Sequence, residues 1–189
     1  MRKRFVIAAI FSLILIISLS LCSCSLGGTN MLGGLNNNDQ STANAQMDKV
    51  LEAIKNKDKD ALKSMFSKKA VAESGNIDNS IDQLFDFFQG NFVSYNDWNA
   101  VYTEDTINNG DRQKILESTY DVKTSKATYR FAIEEYAQDT ADSDNVGVCS
   151  IYIINMEDDT NPQFAYWGDG KWTPGINFNK KNVLQSEVS

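Results

Sequence analysis

Histidine is absent from this sequence of 189 residues, and there are only three cysteines. Histidine is the usual general base near neutral pH and the commonest metal ligand in proteins. Its absence excludes serine–histidine and cysteine–histidine nucleophiles, and also zinc sites built on histidine. The three cysteines include no Cys-x-x-Cys pair, so a zinc site made of cysteines alone is not expected either. We therefore predict no bound metal and no cofactor.

Positive charge is also in short supply, with 18 basic residues against 25 acidic ones and a net charge of −7. Three basic residues, Arg2, Lys3 and Arg4, lie in a segment (1–23) without any acid, so its removal leaves a net charge of −10. Phosphate backbones and anionic lipid headgroups repel such an acidic domain. We therefore predict no nucleic-acid partner, and we do not expect the domain surface itself to hold a membrane.

One long apolar run, residues 5–21, follows the basic residues and leads into Leu21-Cys22-Ser23-Cys24. This segment resembles the bacterial lipobox, in which an aliphatic residue and two small residues precede the cysteine that becomes lipidated. We predict that residues 1–23 are a lipoprotein signal peptide and that Cys24 anchors the chain in the cell membrane, on its extracytoplasmic face. A diacylglyceryl cysteine has enough acyl chains for stable anchoring. The alternative is an uncleaved transmembrane anchor, for which the run has about the minimum length.

Glycine and asparagine pairs make residues 24–43 typical of a flexible tether between the lipid and the domain. With Cys22 removed and Cys24 lipidated, Cys149 is the remaining thiol. It lies in an apolar run, residues 146–154, that is typical of a central strand. We interpret Cys149 as a buried small hydrophobic residue and not as a reactive nucleophile.

Apolar residues recur at helical spacing in residues 47–54, 61–66 and 77–88. Asp58 is expected to cap the second helix and Gly90 to stop the third. The polar residues 67–76 are predicted to form a loop.

Strand signals follow the helices. Residues 116–122 and 127–134 alternate between apolar and polar side chains, residues 123–125 are predicted to form a turn, and Asp169-Gly170 marks a hairpin at 166–172. Helices followed by a meandering antiparallel sheet indicate an α+β domain. We expect the N-terminal helices to pack on a curved sheet, which gives a cone with an open mouth.

Residues 56–66 resemble the early helices of NTF2-like domains. Residues 77–90 and 117–154 are similar to a family of uncharacterised lipoproteins from Gram-positive bacteria, a domain of unknown function with an NTF2-like fold. The resemblance covers residues 45–178 and implies a domain at 44–182 with a tail at 183–189. It implies no catalytic residues, because NTF2-like proteins include isomerases, dehydratases, scaffolds and immunity proteins.

Aromatic residues are the first candidate site, because inward aromatics in a cone can line a ligand pocket. The candidates are Trp98, Tyr120, Tyr129, Tyr152, Trp167 and Trp172. The alternative is that these side chains only fill the core.

Carboxylates are the second candidate. Glu117 and Asp121 share one strand face, opposite Leu116 and Tyr120, and are expected to face water. Asp82 and Asp86 are expected at the polar edge of their helix, so no acid is predicted inside a cavity. The acidic loop 139–145 does not follow the EF-hand pattern, because Val146 occupies a ligand position, and we interpret it as a solvated loop.

These features predict a surface-anchored module that is not an enzyme and that binds a small apolar ligand or a protein partner. A homodimer through the sheet is a further expectation. Two alternatives remain open. One is an isomerase or dehydratase that uses a cavity carboxylate, and the other is an immunity lipoprotein against a secreted toxin.

Overall fold

A computed structural model describes residues 34–158 and 172–178. The predicted signal peptide, Cys24, Trp167, most of the predicted hairpin and the predicted tail lie outside these residues. None of the helices that the structure describes is both long and apolar enough to cross a membrane.

Among the described residues, four α-helices precede the sheet: α1 (Gly34–Asn56), α2 (Lys59–Met65), α3 (Lys68–Glu73) and α4 (Ile77–Phe87). Side-chain oxygens cap three of them. Asp58 accepts a hydrogen bond from the Ala61 N–H, as predicted, at 2.9 Å. Ser67 and Asn76 cap α3 and α4 in the same way. The positions of α1, α2 and α4 confirm the three helical patterns predicted from the sequence.

Two predictions for the helical region are wrong. The predicted tether reaches residue 43, but α1 already begins at Gly34. Its first turns are held by tertiary contacts, since Asp39 pairs with Lys114 and Gln40 accepts a hydrogen bond from the Val101 N–H at 2.9 Å. The predicted loop 67–76 contains α3, because the Ser67 cap and the burial of Ala70 stabilise a short helix.

A six-stranded sheet follows, with strands β1 (Phe92–Asp97), β2 (Tyr102–Asn108), β3 (Asp111–Thr124), β4 (Thr128–Asp139), β5 (Gly147–Asn155) and β6 (Gly175–Phe178). The order is β1-β3-β4-β5-β6, and β2 also pairs with β3. All pairings are antiparallel except that of β5 with β6. The mixed α+β class and the three strands predicted between 116 and 154 are confirmed.

The core lies between the helices and one face of the sheet, which we call the helix-facing side. The cross-strand pairs Tyr120–Phe131, Val122–Tyr129 and Ile133–Ile151 point to this side. They join apolar side chains of the helices in one buried cluster, which includes Met47, Val50, Leu62, Ile81 and Leu84. Because successive side chains alternate, the pairs Glu117–Glu134 and Asp121–Arg130 point to the other side, the outer face.

Candidate functional site

A half-open pocket of about 540 Å³ lies where α3 meets the outer face of β4 and β5. Lys69 and Glu73 of α3 form one wall. The sheet supplies Glu134, Tyr136 and Cys149, and the segment before β6 contributes Trp172 and Pro174. Its volume is within the range of small-molecule sites.

Two close backbone contacts fix the α3 wall. At its start, the Ser67 N–H donates to the Val148 carbonyl at 2.9 Å, while Gly147 lies so close that a Cβ there would be 3.0 Å from the Met65 carbonyl oxygen. At its end, a Cβ on Gly175 would be 2.6 Å from the Ser74 Cβ. Both glycines also have positive φ angles, which other residues rarely adopt. The wall of the pocket is therefore tied to β5 and β6.

Glu134 is 7% exposed and faces another glutamate, Glu117, directly across β3 and β4. On its other side it faces Ser150, which is fully buried and whose hydroxyl has no hydrogen-bond partner in the described ranges 34–158 and 172–178. The pairing of β4 with β5 shifts at this point, so that Cys149 has no direct partner on β4. Its thiol forms a hydrogen bond with the Glu134 carboxyl.

Burial raises the pKa of Glu134, and the charges of Glu117 and Glu104 raise it further. Burial also raises the pKa of Glu117, although a hydrogen bond with Trp172 acts in the opposite direction. No ion pair within the part of the chain that the structure describes includes either glutamate. Glu134 thus lines the pocket with a second carboxyl group, Glu117, directly opposite it on the sheet, and no cation of the described residues pairs with either one.

The Cys149 thiol stays protonated near neutral pH. Its pKa is raised to about 12, chiefly by burial and then by the neighbouring Glu134 carboxylate. The thiol is therefore a hydrogen-bond donor to Glu134 and not an activated nucleophile.

Trp172 is held beside the pocket by two neighbours. Its side chain forms a hydrogen bond with Glu117, and its ring meets that of Tyr152 edge to face with 5.5 Å between ring centroids. The Tyr152 hydroxyl in turn accepts a hydrogen bond from the Thr173 N–H at 2.8 Å. These contacts place an aromatic ring next to the paired glutamates.

The predicted aromatic set does not form one wall. Tyr120 and Tyr129 are fully buried in the core, where the Tyr129 hydroxyl donates to the Phe87 carbonyl at 3.0 Å. Trp98 lies elsewhere on the outer face, 4.5 Å from the guanidinium carbon of Arg130. Tyr152 and Trp172 lie beside the pocket.

The prediction that no acid lies inside a cavity is wrong, because Glu134 lines the pocket. The prediction that Glu117 and Asp121 share one strand face is confirmed, and Asp82 lies at the helix edge, 2.7 Å from the Lys59 ammonium. The alternation of β4 placed Glu134 on the outer face. What sequence reasoning missed was the register that sets it opposite Glu117 and the covering of that face by α3.

The acidic loop after β4 uses its carboxylates internally. Asp139 accepts hydrogen bonds from the side chains of Gln113 and Asn145 and from two backbone N–H groups, which lower its pKa to about 2. No cluster of three metal-ligating acidic, histidine or cysteine residues occurs among residues 34–158 and 172–178.

The family whose sequence model matches this chain is described as Domain of unknown function (DUF5104), and the match covers residues 49–156. The matched segment includes Glu117, Glu134 and Cys149 and ends before Trp172. No curated protein matches the chain.

Proposed function

The chain belongs to the family Domain of unknown function (DUF5104), and we propose that it is a binding module anchored outside the cell, with a small ligand in the pocket over Glu134. The observation that carries this proposal is the buried Glu134 carboxyl, which lines an open pocket and faces Glu117, with no ion pair to either glutamate among residues 34–158 and 172–178. Like charges directly opposite one another destabilise a sheet. Local rules of stability are broken most often at functional sites, where binding makes up the loss.

The same proposal includes an NTF2-like fold, and it is supported by helices that pack on one face of a largely antiparallel sheet. The ligand site is then on the outer face. The space between helices and sheet is filled by Tyr120, Tyr129 and Phe131.

Extracytoplasmic anchoring rests on the lipobox-like segment and Cys24. Cys24→Ala should abolish incorporation of labelled palmitate and release the protein from the membrane fraction. Cys22→Ala is the matched control and should leave both unchanged. Equal labelling of the two variants would contradict lipidation at Cys24.

Native mass spectrometry of residues 25–189, purified from the protein's own host, tests the binding function. We expect an added mass in the range of a small molecule. Glu134→Gln should lose this mass, whereas Glu157→Gln, at an exposed glutamate outside the pocket, should retain it. A bare chain in all three preparations would argue against a bound ligand.

A second candidate is an enzyme that uses Glu134 as general acid and base. The raised pKa of this carboxyl in a pocket favours it, because such a group holds a proton more readily than an ordinary carboxyl and can give it up to a substrate. The test is turnover of candidate isomerase or dehydratase substrates. Activity lost in Glu134→Gln and kept in Glu157→Gln would establish it, and equal rates in the two variants would refute it.

A further inference from the structure

We propose that the ligand of this pocket carries a primary ammonium group, which binds at Glu134 beside Trp172. This inference rests on the proposed binding function and adds the chemical class of the ligand. It follows from the charges, the hydrogen-bonding groups and the size of the pocket.

The first argument is the distribution of charge. Glu134 and Glu117 face each other, Glu104 is close enough to raise the pKa of both, and Glu73 lies on the opposite wall. Lys69 is the one basic residue among the described lining residues, and its ammonium lies 3.7 Å from the Asp142 carboxylate. A cation entering here meets acids that form no ion pair within the described part of the chain, whereas a carboxylate or phosphate would be repelled.

The second argument is the set of hydrogen-bonding groups at the base of the pocket. The Glu134 carboxylate offers acceptor positions beyond the one used by the Cys149 thiol. The Ser150 hydroxyl next to it is fully buried and has no hydrogen-bond partner among the residues that the structure describes. A primary ammonium has three N–H donors and matches these acceptors, while a quaternary ammonium has none.

The third argument is the aromatic wall. Trp172 lines the pocket and is held in place by Glu117 and Tyr152. Indole is the side chain that attracts a cation most strongly. A carboxylate and an aromatic ring together select a positively charged group, and the ring also offers apolar contact to the alkyl part of an amine.

The size of the pocket limits the ligand to a small molecule. Its volume is about 540 Å³ and it is open on one side. A cationic protein segment would need a longer groove, so it is not the occupant that we infer.

Titration with hexylamine at about pH 8 tests the inference, because an alkyl ammonium is still largely charged there and a higher pH favours the charged form of a carboxyl with a raised pKa. Hexanoate and hexanol are matched probes with the same chain length and a negative or zero charge. The mature chain, purified from host membranes in detergent and freed of small molecules by dialysis, is titrated while tryptophan fluorescence is followed. We expect saturable binding of hexylamine only.

Variants assign the binding to this pocket. Glu134→Gln should weaken hexylamine binding about thirty-fold or more, because it removes one partner of a desolvated charge pair. Glu157→Gln should leave the affinity unchanged, and thermal unfolding of both variants shows that they are folded. Hexylamine binding that is equal in Glu134→Gln and Glu157→Gln would overturn the inference.

The probes also separate this inference from the proposed function. If hexanoate or hexanol binds in its place and Glu134→Gln alters that binding, the pocket is a ligand site of another class and only the ammonium inference fails. If none of the three probes binds and native mass spectrometry shows a bare chain, both fail.

Discussion

Two charged pairs lie near each other on the outer face of β3 and β4, and they differ in the sign of one partner. In the first, Arg130 forms a bidentate ion pair with Asp121, with N–O distances of 2.6 and 2.9 Å. In the second, Glu134 faces Glu117 and no cation accompanies them in the described part of the chain. Both pairs join β3 and β4 at directly opposite positions, so the two pairs differ only in the charges of their side chains.

The first pair is expected to stabilise the sheet, and the second is expected to destabilise it. An opposite-charge pair across two strands contributes about 0.2–1 kcal/mol, and a like-charge pair costs a similar amount. The opposite-charge pair lies beside Trp98, whereas Glu134 of the like-charge pair lines the pocket. The comparison teaches that this surface has a neutralised charge pair at one end and, within the described residues, two carboxyl groups without an ion pair at the other.

Breaking the first pair should have the largest effect. Arg130→Met leaves Asp121 without its cation and should lower the free energy of unfolding by about 2–3 kcal/mol. This loss is smaller than is usual for a fully buried pair, because Asp121 keeps some contact with water. Urea unfolding measures this change. The control is Arg112→Met, which breaks the more exposed pair with Asp105 and should cost much less, because water screens an exposed ion pair. Equal losses would show that the Asp121–Arg130 pair is no more than a surface contact.

Neutralising the second pair should raise the free energy of unfolding instead of lowering it. Glu134→Gln keeps the shape of the side chain and removes a like charge, so we expect the free energy of unfolding to rise by about 1 kcal/mol near neutral pH. Urea unfolding of the dialysed protein measures it, because a bound ligand would stabilise the wild type. A loss of stability in this variant would mean that the two glutamates already share a favourable interaction.

The increase in the free energy of unfolding caused by Glu134→Gln should depend on pH. Glu134 has a raised pKa in the folded state, so its contribution to stability is fully present below its ordinary value of 4.5 and is lost as the pH rises through the raised value. The charged and titratable groups around it are Glu117, Glu104, Glu73, Lys69 and the Cys149 thiol. The difference in unfolding free energy between variant and wild type should therefore grow as the pH rises from 4.5 through the raised pKa of Glu134. A constant difference would place the cause in packing and not in charge.

The elements of the core were predictable because burial leaves a periodic pattern. Met47, Val50, Leu51 and Ile54 repeat at helical spacing, and Tyr129, Phe131 and Ile133 alternate as a strand requires. Strands β1 and β2 were not predicted, because they pair only with β3 and expose Val93, Tyr102 and Ile107. The start of α1 was predicted as a tether from its glycine and asparagine content. That prediction failed because contacts with distant residues such as Lys114 hold this segment in a helix.

The candidate site was less predictable, for a different reason. Strand alternation places Glu117 and Glu134 on the outer face, but it does not say that they lie opposite each other. That depends on the turn between β3 and β4 and on the register that follows from it. It also does not show that α3 and Trp172 cover this face and turn a solvated position into a pocket.

The smallest effect is expected at Lys69, the basic residue on the wall opposite the glutamate pair. Lys69→Gln removes a positive charge that competes with a cationic ligand. Because the contact of Lys69 with Asp142 is exposed and long, the free energy of unfolding should change by less than about 0.5 kcal/mol. The affinity for hexylamine should rise by about two- to three-fold, since like charges across a pocket repel. Lys68→Gln is the matched control, because Lys68 is the neighbouring residue, pairs with Asp144 and does not line the pocket. If both variants bind hexylamine equally well, the effect comes from overall charge, and the difference between the two ends of the outer face does not extend to its ligand.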